Sequence, residues 1–137
     1  MAPFVKFNQF IADLGLKVHN LDTDAIMVYL TNVAPNVATM AVKADLAEIA
    51  TGNGYTGPLD IGATYAQSGG VGTLTGVDQM ITATGPVGPF RYAVIFNDTP
   101  VTPLKPLIGY WDFGSPISLA AGASFTVDFG ASVLTVS

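Results

Sequence analysis

The residues able to do chemistry in this chain are few and widely spaced. His19 is the only imidazole and Glu48 the only glutamate, and there is no cysteine. A His-based triad needs a nucleophile and an orienting carboxylate around the ring, and no G-x-S-x-G or similar context occurs. His19 stands beside Asn20 in a turn, where a backbone hydrogen bond is the ordinary role. Asp22 and Asp24 form a D-x-D pair that could begin a calcium loop. The glycine and distal glutamate of such a loop do not follow, so a carboxylate capping the turn before the next strand is the expectation. Asn97 and Asp98 are turn residues by the same logic. Asp45 and Glu48 lie at helical spacing, where a solvated face is the default over an acid/base pair. Gly52-Asn53-Gly54 and Gly69-Gly70 lack the Lys-Ser/Thr of a phosphate loop. Arg91, the only arginine, and Asp112 are a candidate ion pair holding strand register. No catalytic, cofactor-binding or metal-binding residue is assigned, and the chain reads as a non-enzyme.

The elements that must position these residues are short. From Pro89 to Phe129 three apolar runs alternate with turn residues, each of strand length. Phe90, Tyr92, Val94 and Phe96 share one face of the first run, and Leu107, Gly109, Trp111 and Phe113 one face of the second. Phe125, Val127 and Phe129 share a face of the third. Phe90, Tyr92, Phe96, Leu107, Trp111 and Phe113 are therefore the expected core of an antiparallel hairpin. Phe96 should stand opposite Leu107, Tyr92 opposite Trp111, Phe90 opposite Phe113 and Arg91 opposite Asp112. Asn97 to Pro106 would be a proline-stiffened connecting loop. Gly114-Ser115-Pro116 and Leu119 to Ala123 read as tight turns.

Upstream, Phe7, Phe10, Ile11 and Leu14 have helical spacing, which predicts a short helix over Asn8 to Leu14 ending near Gly15. An extended arm is the alternative. Phe4, Phe7, Phe10 and Leu14 are candidate inter-subunit contacts, because so short an element cannot hide them all. Asp24 to Asn32 alternates as a strand. Ala44 to Glu48 fits a short helix or a strand. Gly52 to Gly76 reads as a long loop followed by a Thr-rich strand over Val71 to Val77. Gln79 to Thr84 and Ser132 to Val136 read as further strands.

About eight short strands between turn signals predict an all-β fold, an antiparallel β-sandwich or jelly roll, with one or two short helices near the N-terminal half. The 137 residues fit one domain, with residues 1–20 a candidate arm on neighbouring subunits. Half the residues are hydrophobic and 11% are charged, less than half the typical ~25%. Such a surface is covered by Thr, Ser, Asn and Gly or lies against other chains. The net charge of −5 leaves no basic patch for nucleic acid. No signal peptide is read at the start of the sequence, and no apolar run approaches the ~20 residues of a membrane helix.

Three segments carry a resemblance: GPFRYAVIFNDTP at 88–100, PLIGYWDFGSPISLAAGASFTVDF at 106–129, and the ending SVLTV. Together with NQFIADLGLKVHNLDTDAIMVYLTN and VKADLAEIATGNGY, they are similar to virion structural proteins of tailed bacteriophages. The C-terminal half is the more specific part and residues 57–85 match least. The resemblance implies a capsid decoration (cement) protein on the virion surface, without cofactor. Its partners would be the major capsid protein and further copies of itself, with a trimer favoured because capsids offer three-fold sites. A tail or fibre sandwich module recognising host carbohydrate is the alternative, for which Tyr55 and Tyr65 are the only loop aromatics.

Overall fold

The computed structural model describes residues 3–136. It is all-β, antiparallel and sandwich-like. In chain order come β1 (Val5–Lys6), α1 (Asn8–Gly15), β2 (Ile26–Thr31), a 3-10 turn (Lys43–Asp45), β3 (Leu59–Asp60), β4 (Thr64–Ser68) and β5 (Val71–Thr75). After these come β6 (Gln79–Thr82), β7 (Val87–Asn97), β8 (Leu107–Leu119), β9 (Ser124–Val127) and β10 (Leu134–Val136). The main sheet has the order β1-β8-β7-β2-β3, and two small sheets, β10-β5-β4 and β6-β9, complete the fold. Aromatic contacts tie the main sheet to β9 and the segment after it. Phe90 meets Phe125 at 5.0 Å between ring centroids and Trp111 meets Phe129 at 5.4 Å.

The β7–β8 hairpin is the centre of the main sheet, as its apolar runs require, and Phe96 pairs with Leu107. Its register then departs from the expected one. Ile108 is bulged out, so Ile95 pairs with Gly109, Ala93 with Trp111 and Tyr92 with Asp112. Tyr92 and Trp111 therefore lie on opposite faces, and Phe90 pairs with Ile117 in place of Phe113. The physical reason is that both faces are covered here. From Tyr92 to Asn97 every residue of β7 is buried. A one-residue slip is forbidden only where one face meets water, and a bulge rotates the strand at little cost when either face can be buried. Ala93, Ile95, Val28 and Leu30 share the face of Trp111, while Tyr29, Val94, Phe96 and Tyr110 share the other.

Two further expectations are corrected. Gly114-Ser115-Pro116 is not a turn, because β8 runs through it to Leu119. Gly114 takes φ 90°, and irregularities around Phe90 absorb the extra residues. The stretch from Gly52 to Gly76 is not a loop up to Val71, because it holds β3 and β4. β4 and β5 form a hairpin closed by Gly69-Gly70, both at positive φ, as a two-residue turn of this twist demands.

α1 covers the predicted residues, and Phe7 and Phe10 are fully buried in the chain's own core. Phe4 and Leu14 pack partly buried against that core. Phe7 and Phe10 are thus core residues of this chain and not subunit contacts, because β1 and α1 fold back on β8. Gly109 makes room for this, since a Cβ there would lie 2.3 Å from the Phe4 ring. The Phe4 ring meets Trp111 at 4.7 Å between centroids and the Phe7 ring meets Tyr110 at 5.7 Å, both in tilted contacts. The apolar side chains that α1 and its end leave in water are Ile11 and Leu16. No helix among the described residues is long and apolar enough to cross a membrane.

Candidate functional site

Arg91 and Asp112 form the predicted ion pair. Nε donates to Oδ1 at 2.8 Å and an Nη to Oδ2 at 3.1 Å. They meet diagonally, since Asp112 stands opposite Tyr92. The guanidinium bonds hold the Asp112 carboxyl below the usual carboxylate range, helped by the Gly114 N–H. Both side chains are more than a third exposed, so the pair fixes geometry more than it stabilises.

The structure gathers His19, Asp24 and Asn97, which are far apart in sequence, into one polar cluster at the start of β2 and the end of β7. The Asn97 amide nitrogen, fully buried, donates to His19 Nδ1 at 3.0 Å and to Asp24 Oδ2 at 2.7 Å. Nδ1 therefore accepts, and the neutral ring carries its proton on Nε2. The side chain of His19 thus replaces the backbone bond expected of it. Asp24 Oδ2 also accepts the Asn20 N–H at 2.9 Å, which is the turn-capping role read from the sequence. Phe10 covers the imidazole at 5.3 Å. Asp13, which sequence reasoning missed, is buried nearby on α1, and its Oδ2 has no partner among the described residues. Its signal was weak: an acid on a short amphipathic helix normally faces solvent.

Burial lowers the His19 pKa from 6.5, against the opposing pull of Asp13 and Asp24. The folded state therefore resists protonation. The stability His19 contributes is present above pH 6.5 and is lost as pH falls through the lowered folded value. Urea unfolding is expected to show this loss as pH falls below 6.5, and His19→Gln should reduce it. An unchanged acid slope in the variant would remove His19 as its source.

Asp45 and Glu48 do not form an acid/base pair. Asp45 accepts the backbone N–H groups of Ala41 and Val42, which lower its pKa. Glu48 accepts from Tyr55 and Lys43. Tyr55, a loop aromatic in the sequence, is fully buried, whereas Tyr65 is half-buried on β4. Asp98 leaves the cluster to meet Lys105 at 3.5 Å across the 97–106 loop.

The loop after β7 ends in a tight turn in which Val101 bridges to Leu104. Thr99 ties its base to the residue just before β2 by accepting the Ala25 N–H at 2.8 Å. The turn carries Val101 and Leu104 outward, 78% and 58% exposed. Val77 and Met80, at and before the start of β6, are exposed to a similar degree. Among the described residues no group of acidic and histidine side chains is arranged to hold a metal ion. Comparison with protein-family models, with curated proteins and with solved structures finds no match to this chain.

Proposed function

We propose that this chain is a virion structural protein that binds the outer surface of a tailed-phage capsid and stabilises the shell. Its partners are the major capsid protein and further copies of itself, with a trimer favoured by the three-fold sites of a capsid. The reading assigns it no catalysis, cofactor, nucleic acid or membrane. The observation that carries it is the pairing of exposed apolar side chains on stiff supports. Single exposed apolar residues are ordinary. Val101 and Leu104 are different because they sit together on a turn held by Thr99, the Asp98–Lys105 pair and three prolines. Paired apolar tips on a surface this poor in charge are what an interaction site looks like. The resemblance of residues 88–100 and 106–129 to phage virion proteins supports the same reading.

Particles assembled without this protein are expected to form but to release their DNA at a lower temperature, because each bound copy favours the intact shell by mass action. Adding the purified protein should restore the release temperature, and a Val101→Asp/Leu104→Asp variant should not. These positions are exposed, so the double variant should fold normally. Deletion particles with unchanged thermal release would refute the stabilising role, and failure to assemble would point to a core shell component.

A further inference from the structure

An open cleft of about 480 Å³ lies between the turn after α1, the β4–β5 hairpin and the base of the loop after β7. That is a size in which small organic ligands are held. Its apolar lining includes the Tyr65 side chain, Leu14 and Pro100. Its polar groups are held in place by bonds that leave other atoms free. Asn20 Oδ1 accepts the N–H groups of Asp22 and Thr23, which leaves its amide NH₂ as a donor. Thr99 Oγ1 accepts the Ala25 N–H, which leaves its hydroxyl proton. One oxygen of Asp24 is occupied by Asn20 and Asn97, and the other is an acceptor. The Asp22 carboxylate and the Lys17 ammonium form no ion pair among the described residues.

Donors and acceptors are therefore interleaved beside an aromatic side chain. A hydroxyl both donates and accepts, so a ligand with several hydroxyls and an apolar face matches this set. An anion would meet Asp22 and Asp24 in a chain of net charge −5, and a cation, which accepts no hydrogen bond, would leave the Asn20 amide and the Thr99 hydroxyl without acceptors. We propose that this cleft binds a neutral polyhydroxylated ligand, a sugar unit of one or two rings, with Tyr65 against its apolar face and Asp22, Asp24, Asn20 and Thr99 on its hydroxyls. The proposal does not depend on the capsid reading.

A second observation bears on Tyr65. Its phenol lies across β5 in a notch made by Gly72, where a Cβ would stand 1.8 Å from the phenol oxygen. Gly72 is in ordinary extended backbone, so alanine there is compatible with the strand and must displace the ring. Gly72→Ala thus moves the aromatic wall without altering any polar group of the cleft. Asp22→Asn, at an exposed position, removes a charge while the backbone bond of residue 22 stays.

The test is a titration of the full chain with glucose, galactose, mannose and N-acetylglucosamine, each followed by amide NMR shifts. At least one sugar should shift signals at residues 17–24, 65 and 99 with millimolar affinity. Gly72→Ala or Asp22→Asn should weaken that binding about tenfold or more, a loss of roughly 1.4 kcal/mol, with the buried Trp111 emission unchanged. The proposal is overturned if none of the four sugars shifts these signals, if neither variant weakens the binding, or if putrescine or inorganic phosphate shifts them instead.

Discussion

Replacing Phe10 with alanine is expected to destabilise the isolated chain by about 3–5 kcal/mol, the usual cost of emptying a fully buried aromatic site. Phe10 has no solvent exposure and covers the ring of His19. α1 has no side-chain cap at its N-terminus, so a helix of eight residues depends on burial of its inner face, as short helices do. Loss of Phe10 removes the main anchor of that face and opens the polar cluster of His19, Asn97 and Asp24 to water. Ile11 is the neighbouring control. It is 59% exposed, and Ile11→Ala should change stability by no more than about 0.5 kcal/mol. Urea unfolding of the two variants measures the difference. The result also separates two roles for the N-terminal segment. If Phe10 served as a contact between subunits, its removal would weaken assembly and leave the unfolding midpoint of the monomer unchanged. Loss of under about 1 kcal/mol in the Phe10 variant would reinstate the inter-subunit reading and contradict its burial.

The same segment shows what could be read from the chain. The spacing of Phe7, Phe10, Ile11 and Leu14 located α1 to within a residue, and the alternation in Ile26–Thr31 located β2. Both signals are local, set by side chains that follow the period of their own backbone. What escaped was non-local. The bulge at Ile108 is possible because both faces of the hairpin are covered, and part of that cover, Phe4 beside Gly109, comes from the far N-terminal end of the chain, just before a strand of two residues. Gly114-Ser115-Pro116 has the composition of a turn, and only the pairing of β8 with β7 beyond it keeps the strand extended. β4 was hidden by its exposure, since a strand with little apolar surface carries no alternation to detect. The hairpin signal was nevertheless present in Gly69-Gly70. The Arg91–Asp112 pair was legible because the two strands are adjacent in sequence, although the register predicted for it was not the one adopted. The cluster of His19, Asp24 and Asn97 was not legible. Asn97 looks like a turn residue, and its amide is buried only because β7 ends against β2.

The second large effect is expected at Tyr55. Its hydroxyl accepts the Leu30 N–H at 3.1 Å and donates to Glu48 Oε2 at 2.5 Å. Tyr29 donates to the Leu46 carbonyl at 2.9 Å, and Lys43 links Glu48 at 3.1 Å to the face of the Tyr29 ring at 4.8 Å. These bonds fasten the irregular segment between the 3-10 turn and Tyr55 along β2. Tyr55→Phe keeps the ring but leaves the Leu30 N–H, within the interior, without its acceptor, which should cost about 1–3 kcal/mol. The network also sets an alkaline limit. Burial first, and then the Glu48 carboxylate, raise the pKa of both phenols far above 10.0. The folded state holds these protons more tightly than the unfolded chain does. Their contribution is therefore complete below pH 10.0 and is lost as pH rises from there toward the folded values. Urea unfolding of the parent chain at about pH 8 and about pH 11 should reveal that loss. Tyr55→Phe should start less stable and lose less over the same interval, because one of the two raised protons is gone. A variant as stable as the parent near neutrality, with the same alkaline slope, would mean that packing around Leu46 holds the segment and the hydroxyls are incidental.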